Sequence, residues 1–293
     1  MAQPGWKSGA SAVAAYLLGI LFLVAGVWKL TDPLGAAVRM NQALVPSALS
    51  LPAAIAFGIS ELFAAALLFI PRFRRWGAWA TGLLLVAFLG YFAVNYTALQ
   101  GQECSCFPWL KRAVGPGFFI GDFIMLAFAV IAGWWARRSE GIRAAAIILA
   151  AVIVFAGASY AWVQSRLSGA KAPDSVMVDG KPFSLQQGRI VVFFFDPECM
   201  HCFHAAKTMS THKWIDTKIL SVPTRVPQFA GQFLKDTGLK SLVTNDLAPL
   251  KAVFPFGDGP YGVALEHGRM KAALPMFDEK EPYGTLKKLG FVE

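Results

Sequence analysis

Charge and cysteine are what this sequence has least of. Only 15% of its 293 residues are charged, and four are cysteines. With 56% hydrophobic residues and a mean hydropathy of +0.50, an ordinary soluble globular chain is excluded. The formal charge of +9 does not indicate nucleic acid either. Twelve basic and five acidic residues precede Gly169, and fifteen and thirteen follow. The excess sits in short loops, and no basic stripe with interleaved aromatics exists.

What is present is membrane-like sequence. Four apolar stretches, Ser11 to Leu30, Leu49 to Ile70, Trp76 to Leu99 and Gly117 to Ala136, each approach the roughly 20 residues that span a bilayer's hydrocarbon. A fifth runs from Ile142 to Val163. The basic loops are Arg72, Arg74 and Arg75, then Arg137, Arg138 and Arg143. Such loops stay on the cytoplasmic side. This places the amino terminus inside with Lys7, and sends residues 101–116 and everything after the fifth stretch outside. Lys111 and Arg112 on that outer loop, and Lys29 and Arg39 on the first, run against the rule. The small-residue run "GASAVAA" precedes the apolar core, so a retained helix is expected and not a cleaved signal peptide.

Composition changes after "RLSGAKAPDS", where long apolar runs give way to mixed, charged segments. That stretch reads as a linker, and the remaining residues, about 120, are enough for one small domain. "SVMVDGKPFSL" predicts a strand and turn, "RIVVFFF" a fully buried strand, and "CMHCFHAAKTMSTHKW" a helix opening at the first cysteine. "TKILSV" predicts another strand, "PQFAGQFLKDTG" a helix ending at Gly238, and "YGVALEHGRMKAAL" a hairpin turning at His267 and Gly268. Strands alternating with helices predict an α/β sandwich.

The cysteines stand in two pairs, Cys104 with Cys106 and Cys199 with Cys202, and the predicted topology puts both on one side of the membrane. Two residues between cysteines at a helix start bring the sulfurs within reach of a disulfide. The first then meets unpaired N–H groups and the positive end of the helix dipole, which stabilise a thiolate. The thiolate is the nucleophile in exchange. An imidazolium at His201 is expected to lower the thiol pKa further and favour the reduced form, hence an oxidising pair. Glu198 is expected to oppose the thiolate. The alternatives for "CMHC" are a structural disulfide or a soft-metal site.

A buried strand, CxxC opening a helix, and a Gly-Pro before a hairpin ("DGPYGVAL") are similar to the thioredoxin fold. The resemblance implies Cys199 as attacking cysteine, Cys202 as resolving cysteine and Pro260 as a cis-proline beside them. It departs at Phe193, which stands where thioredoxins carry a buried acid. The membrane half, roughly Ala14 to Trp135, resembles the four-helix MauE/DoxX family of redox-associated membrane proteins. The resemblance is carried by "VWKLTDPLGAAVRMNQALVP", by "ISELFAAALL" and by the "CxCF" loop, Cys104, Cys106 and Phe107, followed by Asp122. Ser105 stands where that family usually has Gly. The resemblance implies a role in forming or maintaining disulfides of exported proteins.

The expected organisation is a four-helix transmembrane domain over 1–140, a fifth transmembrane helix over 141–165, a linker over 166–175 and a thioredoxin-like extracytoplasmic domain over 176–293. The expected location is a bacterial inner membrane. A CxC disulfide closes a very small ring and is readily reduced. Flanked by Phe107, Pro108 and Trp109, it lies at the interface depth that aromatic residues favour, where it meets a membrane quinone and the tethered domain; its alternative is a loop staple. Ten extended residues reach roughly 30 Å, enough for fold-back, and tethering gives an effective concentration of about millimolar. Glu61 and Asp122 lie within apolar helices, as structural or proton-relay carboxylates. Glu61 is expected to pair with Lys29 or Asn95, and Asp122 to face its helix's positive terminus. His204, His212 and His267 read as surface or helix residues. The expected partners are membrane lipid, exported protein thiols or disulfides, and a quinone, with no covalently bound cofactor, no metal and no nucleic acid. The competing functions are Zn or Cu(I) handling through soft thiolates and a non-catalytic assembly factor.

Overall fold

The computed structural model describes residues 5–101, 113–167, 169–278 and 280–293. Cys104, Cys106 and their neighbours Ser105, Phe107, Pro108, Trp109, Lys111 and Arg112 lie outside the described residues. The chain divides into two compact units, Met1–Val45 with Leu49–Ala161, and Pro46–Ala48 with Trp162–Glu293.

The first unit is helical: α1 (Gly5–Thr31), α2 (Pro33–Gln42), α3 (Ser47–Phe69), α4 (Arg74–Val94), α5 (Tyr96–Leu99), α6 (Pro116–Trp134) and α7 (Ile142–Leu167). All but α2 and α5 are long and apolar enough to cross a membrane. The third apolar stretch is interrupted, since α4 ends at Val94 and a single short turn, α5, follows Asn95. Residues 33–42, expected to be loop, form α2 and carry Arg39 on a helix. Pro33 suits the first helical position, where no N–H is needed, and Asp32 caps the start by accepting from Gly35 N at 3.0 Å.

Between apolar helices in lipid there is no hydrophobic gain, so close approach and polar pairs hold the bundle. At Gly26 of α1 an added Cβ would lie 2.7 Å from Leu62 N of α3. Ser11 Oγ donates to Ala132 O at 2.8 Å, joining α1 to α6. Lys29 of α1 meets Glu61 of α3 at 2.7 and 3.0 Å, both side chains largely buried. Of the two expected partners Lys29 is therefore the one; Asn95 bonds to Tyr91 O. Asp122 is buried in the second turn of α6, near the start of the helix. Arg72 Nε donates to Glu140 O at 2.9 Å, which brings the two basic loops to one end of the bundle. The fifth span packs on α1 and α3. Val152 and Ala156 sit against Leu30, Ile55 and Ile59, and Ser159 Oγ donates to Leu30 O at 2.7 Å.

The second unit contains a hairpin, β1 (Ser175–Val178) and β2 (Lys181–Ser184), then β3 (Arg189–Phe195), α8 (Met200–Ser210), β4 (Thr217–Pro223), α9 (Ala230–Thr237), β5 (Leu242–Val243), α10 (Leu247–Val253), β6 (Tyr261–Glu266), β7 (Arg269–Leu274) and α11 (Tyr283–Lys288). Five strands form one sheet in the order β5-β4-β3-β6-β7. β3 runs parallel to β4 and antiparallel to β6, so it is central and covered on both faces. Phe193 and Phe195 pack towards α8, α9 and α11 through Ala206, Phe233 and Leu286, while Phe194 meets the rings of Phe256 and Tyr261 at a tilt. Three adjacent phenylalanines are therefore fully buried, each contributing about 1.5–3 kcal/mol of transfer free energy. His267 and Gly268, both at positive φ, make the two-residue turn between β6 and β7.

The expected linker is not a free tether. α7 continues to Leu167, and the next residues lie along β7: Gly169 N donates to Met270 O, Met270 N to Ala170 O, and Ala172 N to Gly268 O. Backbone donors and acceptors that would otherwise need water are paired there. An extended ten-residue reach of roughly 30 Å is excluded by this pairing.

Candidate active site

The strand β3 ends at Phe195, and the chain turns through Asp196 into α8. Asp196 builds the turn: its carboxylate accepts from Glu198 N at 3.0 Å and its carbonyl from Cys199 N at 3.0 Å. Cys199 is the N-cap of α8, with extended φ/ψ of −92° and 118°, and its sulfur accepts from Cys202 N at 3.4 Å. A thiolate there receives the helix's unpaired N–H groups. Cys202, one turn on, is completely buried against Phe193 and Phe195, whereas Cys199 is partly exposed. Both thiols are free.

These positions separate the two sulfurs chemically. Hydrogen bonding from the Cys202 thiol, with backbone N–H groups of Cys202 and His201, lowers the Cys199 pKa to about 7 against the pull of burial and of the Asp196 charge. The Cys202 pKa is raised, first by its hydrogen bond to Cys199 and then by burial. The accessible sulfur is the ionised nucleophile and the hidden one holds the proton. This is the asymmetry that exchange through a mixed disulfide requires.

Two expectations are corrected here. The His201 pKa is lowered by burial and by His204, so its ring is neutral at pH 7, and no imidazolium stabilises the thiolate. The expected oxidising bias rested on that charge and loses its ground. The carboxylate opposing the thiolate is Asp196, not Glu198: its negative charge raises the pKa of both cysteines. Its position directly after the strand was the sequence signal for it. Gly259 was missed as well. It precedes Pro260, the Gly259–Pro260 peptide is cis, and an added Cβ would sit 3.3 Å from Cys202 Sγ and from Phe194 O. Arg225 Nε lies 3.9 Å from the Asp196 carboxylate. Glu61 lies in the first unit, paired with Lys29, and so does Asp122. Among the described residues no group of three or more His, Cys, Asp or Glu is placed to hold a metal.

Residues 7–137 match the family model of the methylamine utilisation protein MauE. Residues 7–137 are therefore similar to MauE, and a thioredoxin-like domain follows them. The sheet order, the CxxC at the start of α8 and the cis-proline before β6 make the second unit thioredoxin-like, a mixed-sheet α/β fold. Solved structures similar to it include the thioredoxin domain of a thiol-disulfide oxidoreductase from Bacteroides vulgatus, at 14% identity and TM-score 0.33, covering 42% of this chain and 96% of that one. A secreted disulfide oxidoreductase from Mycobacterium tuberculosis shares 18% identity at TM-score 0.33, over 42% of this chain and 98% of that one. A thiol-disulfide isomerase from Corynebacterium glutamicum shares 15% identity at TM-score 0.31, over 41% and 93%. No curated protein matches the chain. With five apolar helices, the fused chain is a multi-pass membrane protein.

Proposed function

We propose that this protein is a membrane-bound thiol-disulfide oxidoreductase of a bacterial inner membrane, with its thioredoxin-like domain on the extracytoplasmic side. Cys199 and Cys202 exchange with exported proteins, and Cys104 and Cys106 pass the electrons to a membrane quinone. The observation that carries this reading is the pairing of a partly exposed Cys199, its pKa near 7, with a buried, protonated Cys202. In the oxidised enzyme a substrate thiolate attacks the Cys199 sulfur and forms a mixed disulfide. A second substrate thiol then releases Cys199, leaving the substrate disulfide and two enzyme thiols. Transfer to Cys104 and Cys106 re-forms the Cys199–Cys202 bond. Those two thiols become a disulfide as the quinone takes two electrons and two protons.

A site pKa near 7 does not by itself make the pair a strong oxidant. Net direction is then set by the terminal acceptor, and a quinone draws electrons inward from substrate. Because residues 169–172 are bound to β7, exchange between the two pairs does not draw on a free tether. Pro260, which follows Gly259 across a cis peptide, is in this reading the residue that borders the substrate chain.

The test is trapping in native membranes. Cys202→Ser should accumulate mixed disulfides between Cys199 and exported proteins, seen on non-reducing gels and dispersed by reductant. Cys199→Ser should accumulate none, and equal patterns in the two variants would overturn the reading.

A further inference from the structure

The MauE region contains a cavity of about 240 Å³ that the exchange chemistry leaves unused. Trp28, Phe88 and Tyr91 stand in its walls, and its charged groups are Lys29, Arg39 and Glu61. Leu99 and Val114 also line it. In the sequence they precede and follow Cys104 and Cys106, and Gly101 N donates to Val114 O at 3.0 Å.

Lys29 makes the cavity specific. An ammonium has three N–H donors. Two go to the Glu61 carboxylate at 2.7 and 3.0 Å, and the remaining described contact is with the Trp28 ring, 5.8 Å to its centroid. Lys29 is only 4% exposed, so its third donor has no partner among the described residues and little access to solvent. A buried donor of that kind calls for an acceptor brought by a ligand. The ligand must also be apolar enough to reach the cavity from lipid and flat enough to lie against aromatic walls. An acyl chain is apolar but supplies no acceptor and no flat ring. A ring carrying carbonyl oxygens and an apolar tail meets all three.

We propose that this cavity is the quinone site of the MauE region, with Lys29 donating to a ring carbonyl oxygen and Glu61 holding the ammonium in place. The inference rests on the proposed flow of electrons to a quinone and names where that acceptor sits. Two S–H bonds of Cys104 and Cys106 break and one S–S bond forms. Both electrons and both protons end on the two ring oxygens, and a donor already aimed at one oxygen stabilises the charge that grows there.

The test uses the full chain purified in mild detergent and titrated with decylubiquinone, with quinone bound per chain measured after gel filtration. Reoxidation of the reduced protein by the same quinone is followed in parallel. Lys29→Met with Glu61→Gln removes the donor without leaving a lone charge, and Ala87→Phe fills the cavity from an exposed position on its wall. Losing a hydrogen bond from a charged donor should weaken quinone binding about tenfold or more. Binding to the wild type with that weakening in the variants supports the site. A monodisperse variant of either kind that binds as the wild type does overturns it, while quinone-dependent reoxidation leaves the broader function standing. Recovery of tightly held phospholipid that quinone fails to displace also overturns it. Wild type that is neither bound nor reoxidised by the quinone removes the acceptor itself, and with it the function proposed above.

Discussion

Asp196 and Cys202 are joined through the backbone: Asp196 N donates to the Cys202 sulfur at 3.4 Å, and the Asp196 charge raises the pKa of both active cysteines. The residue that supports the buried sulfur with its N–H therefore opposes ionisation with its side chain. In wild type, Cys199 alkylation by iodoacetamide should reach half its plateau rate near pH 7, following the thiolate. Asp196→Asn removes the opposing charge, so the midpoint should move to lower pH; a midpoint that rises counts against the assignment.

The same shift makes the reduced domain's stability depend on pH. Cys199 has a folded pKa of about 7 against an ordinary 9.0. A depressed acid pKa stabilises the folded state above the ordinary value, and that contribution fades as pH falls through the folded one. Denaturant midpoints of the reduced protein, taken relative to Cys199→Ser, should thus rise between pH 7 and 9 and stay level below that window. A flat difference across it would contradict the low pKa.

Gly259→Ala should disturb the resolving sulfur. Its Cβ would stand 3.3 Å from both Cys202 Sγ and Phe194 O, and the carbonyl belongs to a central strand that cannot retreat. Overpacking of this kind costs about 1–3 kcal/mol. The expected result is a lower melting temperature of the domain and slower release of mixed disulfides, read by stopped-flow thiol exchange.

The Lys29–Glu61 pair predicts a sharp non-additivity. Removing one partner leaves an unpaired charge among apolar helices, at about 3–5 kcal/mol, whereas neutralising both is far milder. Lys29→Met and Glu61→Gln should each lower the yield of folded protein in membranes, and the double variant should recover it. Additive losses would mean that the two charges do not depend on each other.

The segment between α7 and the thioredoxin-like domain offers a direct test of its pairing with β7. A protease site placed over residues 169–172 should be cut slowly in the native protein and quickly after mild denaturation, because a protease needs extended, unpaired backbone. Rapid cleavage of the native chain would restore the free tether expected from composition.

Most of the fold was legible because its signals are local. Apolar length marks the spans, the run "RIVVFFF" marks a strand buried on both faces, and His267-Gly268 and Gly238 mark a hairpin and a helix end by the backbone angles they adopt. Short elements escaped. α2, α5, β5, α10 and α11 span ten residues or fewer, too few for a period to stand out from neighbouring polar residues. At the site, the cysteine spacing identified the nucleophile, but the electrostatics around it were misread. His201 and Glu198 are the nearest ionisable residues along the chain, yet burial favours the neutral form of the first, and the charge that opposes the thiolate is that of Asp196, not of the second.

What the sequence by itself determined is therefore what depends on neighbours along the chain: membrane spans, strand and helix order, and two cysteines one helical turn apart. Tertiary structure decided between the partners that sequence left open, and made contacts that sequence did not suggest. Lys29 and Glu61 are 32 residues apart in sequence and 2.7 Å apart in space; Gly259 reaches Cys202, and residues 169–172 reach β7. Such pairings follow from desolvation and packing across elements, where an unpaired charge or backbone group costs more than the order required to pair it.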